Sequence, residues 1–88
     1  MIDATCAIRL ATNEVGKLIG EKPGFRLEEV DFTDDGQDWL ITFGYLEEQI
    51  DPNLQVPPQS SKKYERVFRV VRLNGEAGKF HSMEIRTP

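Results

Sequence analysis

The run Lys63-Tyr64-Glu65-Arg66-Val67-Phe68-Arg69-Val70-Val71-Arg72-Leu73 constrains this chain more than any other stretch. It is rich in β-branched and aromatic residues, which suit the pleated surface of a strand. Asn74-Gly75-Glu76-Ala77-Gly78 then supplies turn chemistry, and Lys79 to Arg86 runs back. A short polar side chain opens the turn and a late glycine closes it, so a C-terminal β-hairpin is expected. A chain of 88 residues can bury one small core, so this hairpin has to pack against whatever else the sequence folds into.

Upstream of it, Ala4, Ile8, Ala11, Val15 and Leu18 recur at helical spacing, with Ala7 and Ile19 widening the stripe. The spacing predicts one amphipathic helix. Asp3 suits its N-cap, Gly20 its end, and Pro23 prevents resumption. Small residues on the inner stripe allow close approach to a sheet. Phe25 to Thr33 alternates imperfectly: Phe25 and Leu27 share one parity, Val30 and Phe32 the other. A bulge near Glu28-Glu29 reconciles them. Asp34-Asp35-Gly36 is a tight turn, and Trp39 to Leu46 a second strand with Trp39, Ile41, Phe43 and Tyr45 on one face.

Glu47 to Lys62 contains Pro52, Pro57 and Pro58 among Gln and Ser, a composition expected of a long surface loop. The resulting order is helix, strand, strand, loop, strand, strand. This predicts a single α+β domain spanning residues 1 to 88, with the helix laid across one face of a four-stranded antiparallel meander.

On that element order the chain resembles the PepSY family of small domains, which pair an amphipathic helix with an antiparallel sheet ending in a hairpin. The family's turn typically reads Asp-x-x-Thr-Gly-Glu-Val; here Asn74-Gly75-Glu76-Ala77-Gly78-Lys79-Phe80 occupies that register. Asn74 stands at the Asp and Gly78 at the Gly, while Ala77 and Lys79 depart from the pattern. The resemblance implies a non-catalytic domain, with relatives linked to peptidase inhibition or to regulation at the cell envelope.

Hydrophobic residues are 39% of the chain and charged residues 30%, too apolar a mixture for disorder. The net charge of −4 hides an asymmetry. Residues 1 to 60 hold 4 Lys or Arg against 12 Asp or Glu, a net of −8, and residues 61 to 88 hold 7 against 3, a net of +4. Antiparallel strands pair opposite charges, so the two halves are expected to neutralise each other inside the fold. A sequence pI of about 4.9 argues against general nucleic-acid binding. A local basic surface made of Lys62, Lys63, Arg66, Arg69, Arg72, Lys79 and Arg86 remains the alternative.

Catalytic chemistry has little to stand on. Cys6 and His81 are the only residues of their kinds; a thiolate nucleophile needs a nearby base and an orienting group, and zinc needs about four ligands. The lone cysteine also excludes an intrachain disulfide. Asp31, Asp34, Asp35 and Asp38 are acidic enough for calcium but lack the EF-hand spacing, so a solvated turn is expected. No cofactor, metal or small-molecule substrate is predicted. No leader-like or membrane-spanning run is visible, and a cytoplasmic, non-membrane setting is the default expectation.

What remains is a surface. Tyr64, Arg66, Phe68, Val70 and Arg72 share one parity of the third strand, and Val67, Arg69, Val71 and Leu73 the other. One helix covers only one face. If it covers the second set, the first lies on an open face carrying an apolar patch rimmed by charge, which suits a protein partner or self-association in a non-catalytic, regulatory or inhibitory module.

Overall fold

The structure is a computed structural model that describes residues 1–49 and 63–86. Its elements are α1 (Ala4–Ile19), β1 (Arg26–Phe32), β2 (Asp38–Gln49), β3 (Lys63–Asn74) and β4 (Phe80–Arg86). The four strands form one antiparallel sheet in the order β1-β2-β3-β4, with α1 packed on one face. The expected α+β architecture is what the chain adopts.

Helix α1 starts where expected, with Asp3 Oδ1 accepting from the Cys6 N–H at 2.8 Å. It stops at Gly20, whose N–H donates to Gly16 O at 3.0 Å. Its buried stripe is Ala7, Ala11 and Val15, extended by Ile19. Two positions expected on the inner face are outside it: Ala4 is exposed and Leu18 is 55% exposed. The reason is the ridge. Residues four apart form one straight row, and the row 7-11-15-19 puts two alanines against the sheet, where they permit close approach. The row through Leu18 is turned away.

The face beneath the helix is built from Trp39, Ile41 and Phe43 of β2 and Val71 and Leu73 of β3. Trp39 pairs with Leu73 and Ile41 with Val71 across the strands. Phe32 stacks on Trp39 at a centroid separation of 3.8 Å. The expected bulge is present: β1 slips one residue against β2 between Leu27 and Glu29, which restores Val30 and Phe32 to the core parity.

The central hairpin is longer than the composition of residues 47–62 suggests. Glu47, Glu48 and Gln49 belong to β2, facing Glu65, Tyr64 and Lys63. Backbone pairing takes polar residues as readily as apolar ones, so the ladder runs on past the apolar run. The rest of the expected loop, residues 50–62, lies outside the described residues. At about 3.4 Å per residue β2 is roughly 40 Å long, whereas the 16 residues of α1 span about 24 Å. The helix therefore covers only part of one face.

Asn74 organises the β3–β4 turn. Its Oδ1 accepts from the Glu76 and Ala77 N–H groups at 3.0 and 2.9 Å, and Gly78 closes the turn at φ +69°. Among the described residues, no helix is long and apolar enough to cross a membrane.

Candidate functional site

Because side chains alternate along a strand, the register assigns each residue to a face. Leu40 lies beside Arg72, Thr42 beside Val70, Gly44 beside Phe68, Leu46 beside Arg66 and Glu48 beside Tyr64. Tyr64, Arg66, Phe68, Val70 and Arg72 thus share the face that the helix leaves uncovered. Phe68, Val70 and Leu40 are half-buried there, Thr42 and Gly44 are buried between them, and Tyr64 is 50% exposed. The centre of the face is apolar.

Its arginines are held by carboxylates of the same chain. Arg66 lies down across β2: Nη2 donates to Glu28 Oε1 at 2.9 Å and to the Gly24 carbonyl at 3.1 Å. That path runs over Gly44, where a Cβ would stand 2.6 Å from Glu28 Oε1 and 3.2 Å from Arg66 Nε. Glycine at position 44 is what lets the guanidinium pass. The β1 bulge in turn aims Glu28 at this point, where its Oε1 also accepts from Arg26 Nε at 2.6 Å. Hydrogen bonds from Arg26 first, then from Arg66, hold the Glu28 carboxyl below its ordinary value.

Two further pairs complete the rim. Arg72 Nε donates to Asp38 Oδ2 at 2.7 Å, and Asp38 is buried, its N–H donating to Thr33 Oγ1 at 3.2 Å. Arg86 Nη1 on β4 reaches Glu29 Oε2 on β1 at 2.7 Å. In each of the three pairs the acid comes from the N-terminal part and the base from the C-terminal hairpin. These contacts neutralise part of the charge asymmetry of the sequence within the fold.

Between the straps lies a hollow of about 270 Å³ lined by Glu28, Glu29, Thr42, Phe68 and Arg86. A second, larger hollow of about 410 Å³ sits at the end of α1 on the other side, lined by Val15, Gly16, Lys22 and Phe25 among others. Phe25, Leu27 and Leu18 are exposed around the end of the helix.

The alternative basic surface does not assemble on one side. Arg69 is on the helix-facing side, where its Nε donates to the Tyr45 hydroxyl at 2.9 Å. Arg66, Arg72 and Arg86 are paired as described, Lys79 is exposed in the last turn, and Lys62 lies outside the described residues. A phosphate would have to displace a carboxylate from each open-face arginine.

His81 and Cys6 are on opposite sides of the sheet. His81 Nε2 stands 3.7 Å from Asp38 Oδ1, on the open face, while Cys6 is in the first turn of α1. The acidic turn is internally bonded: Asp35 Oδ1 accepts from the Thr33 hydroxyl and from the Gln37 N–H, which lowers its pKa. Among the described residues, no group of three or more His, Cys, Asp or Glu is arranged to hold a metal ion.

Parity alone placed Tyr64, Arg66, Phe68, Val70 and Arg72 on one face of the sheet. It missed Glu28, Glu29, Thr42 and Arg86, because the bulge scrambles parity in β1. The available signals were a glycine in mid-strand at position 44 and a large row facing a small one across β2 and β3. No family model, curated protein or solved structure matches this chain.

Proposed function

We propose that the chain is a non-catalytic protein-contact module, acting in the cytoplasm, whose contact surface is the uncovered face of the sheet. The supporting observation is the arrangement of that face. Phe68, Val70 and Leu40 form a half-buried apolar centre, and every arginine around it is already tied to a carboxylate. An apolar centre inside a charged rim is the anatomy of a protein interface. Pre-paired arginines suit it further, because a partner does not have to supply their counter-ions. The PepSY resemblance enters only as a precedent for regulation without catalysis.

The test is capture from source-cell extract on the immobilised chain and on its Phe68→Asp variant, followed by titration of the captured protein, once purified, against both. A central aromatic anchor contributes about 2 kcal/mol or more to binding, so the variant should lose roughly 30-fold in affinity. A partner held equally well by the variant would refute the assignment to this face.

A further inference from the structure

We propose that the chain binds a basic, amphipathic α-helix of another protein in a groove between α1 and β1. The groove is on the helix-bearing side of the sheet, so the inference goes beyond the open-face reading and does not rest on it.

The groove exists because α1 is off-centre. The residues flanking the helix fix its course along the strands: the Ile2 N–H donates to Gly75 O at one end, and the Pro23 carbonyl accepts from the Leu46 N–H at the other. It packs on β2, β3 and β4, which centres it near β3 and leaves β1 uncovered. The bulge in β1 keeps Leu27, Val30 and Phe32 on this side, opposite Phe43, Ile41 and Trp39. Phe25 joins the row by stacking on Phe43 at 5.1 Å. Val30 and Phe32 are half-buried, but Phe25 is 37% and Leu27 42% exposed. Thr12, Val15 and Gly16 form the facing wall, and the hollow of about 410 Å³ lies between that wall and Phe25.

Three features choose a helix as the occupant. Helices pack about 8–10 Å apart and strands lie about 4.8 Å apart, so a second helix beside α1 has its axis about two strands over, above β1. The apolar row from Phe25 to Phe32 is about 24 Å long, the length of about 16 helical residues. Gly16 borders this space, and a Cβ built there would meet nothing within 4 Å. Glycine in a helix interior costs stability relative to alanine, and its bare backbone at this point lets a neighbouring helix come close. A strand would instead have to pair along the edge of β1, which the bulge at Glu28 opposes.

The charges choose the polar face of that helix. Among the described residues, Glu21, Asp31, Asp34 and Asp35 form no ion pair. Glu21 is at one end of the groove, Asp34 and Asp35 follow Phe32 at the other, and Asp31 is on the edge strand between them. Arg9, also without an ion pair, stands exposed on α1 and is outnumbered. Lysine or arginine beside the apolar row of the incoming helix complements this rim. A second copy cannot supply such a helix, because the apolar row of α1, the one helix among the described residues, is turned to its own sheet.

The probe is a synthetic peptide of about 16 residues with leucine at helical spacing and lysine elsewhere, titrated into the isotope-labelled chain and followed by amide chemical shifts. It should bind saturably and shift the amides of Thr12 to Gly16 and Phe25 to Val30. A peptide of the same composition with its periodicity scrambled should not bind, and neither should one with glutamate in place of lysine. Leu27→Asp adds an attractive charge, and Gly16→Lys improves helix propensity. Simple charge attraction therefore predicts tighter binding by the first, and misfolding predicts no loss in the second, yet each should lose at least ~10-fold in affinity. No saturable binding, equal binding of the scrambled peptide, or affinity kept in either variant would overturn the inference. Binding that survives Leu27→Asp and is lost in Phe68→Asp would place the peptide on the open face, overturning this site alone. Loss in Leu27→Asp together with protein capture that ignores Phe68 would keep this site and remove the open-face reading.

Discussion

Gly75 is the point where both ends of the sheet's short turns and the N-terminal segment meet, and replacing it by alanine should destabilise the fold. Its N–H donates to Gln37 O at 2.8 Å, and its carbonyl accepts from the Ile2 N–H, also at 2.8 Å. A Cβ built there lies 2.5 Å from Gln37 O and 3.3 Å from Gln37 C. The obstacle is backbone, so no rotamer change relieves it. Moving the two turns apart far enough stretches the Gly75–Gln37 bond beyond useful length, and a buried donor left unpaired costs about 1–3 kcal/mol. Stiffening the unfolded chain returns about 0.4–1 kcal/mol. The net loss of about 1–2 kcal/mol should lower Tm by roughly 5–15 °C in a domain of this size. Gly16→Ala is the matched control, because nothing lies within 4 Å of its Cβ and the site is an exposed helix interior. It should gain about 0.5–1 kcal/mol. Thermal unfolding followed by far-UV circular dichroism reads both. If Gly75→Ala melts at or above wild type, only the unfolded-state effect operates and the close approach of the two turns is wrong.

Three further outcomes follow from other contacts. Asn74→Ala leaves two turn amides without their acceptor and should cost about 1 kcal/mol in urea unfolding, whereas an unchanged midpoint would mean the turn holds without the side chain. The Trp39 indole N–H is buried with no acceptor among the described residues, so Trp39→Phe should change stability by less than about 1 kcal/mol, the removed unpaired donor offsetting lost area, while Trp39→Ala should cost about 3–5 kcal/mol; equal losses in the two variants would contradict this. Glu28, held below its ordinary 4.5 by Arg26 and Arg66, stabilises the fold fully above that value and progressively less as pH falls through its depressed folded-state pKa, because the unfolded chain takes up the proton first. The stability gap between wild type and Glu28→Gln should therefore close on acidification, and a gap that persists in strongly acidic buffer would exclude the ion pairs as its cause.

The elements were legible because each rests on a local signal. Asp3 and Gly20 bracket α1, the parity break at Glu28-Glu29 announces a bulge, and Asn74 with Gly78 writes the last turn. The phase of the helix was less legible: periodicity admits both the row through Ala7 and the row through Ala4 and Leu18, and only contact with the sheet selects one. The extra strand residues 47–49 were hidden because backbone pairing does not require apolar side chains. Contacts such as Arg66 to Glu28, 38 residues apart, depend on the strand register and on a bulge, and neither end carries a mark of its partner. The parity of β3 was enough to find one side of the face; the other side required the fold.

A two-layer domain has to keep the uncovered face of its sheet compatible with water, and this chain does so with its arginine–carboxylate pairs. An arginine lying flat covers apolar surface with its aliphatic stem and keeps its charge hydrated or paired. Arg66, whose side chain is 24% exposed against 23% for Glu28, lies closer to the sheet surface than the other pair members at the edge. Arg86 and Glu29, at 51% and 49%, are half in water, where a pair contributes little and is readily screened. The Glu29–Arg86 strap also borders the hollow lined by Thr42 and Phe68, so the contact beside that hollow is the most exposed of the three. The stronger straps near Gly44 and Asp38 keep the rest of the face in place.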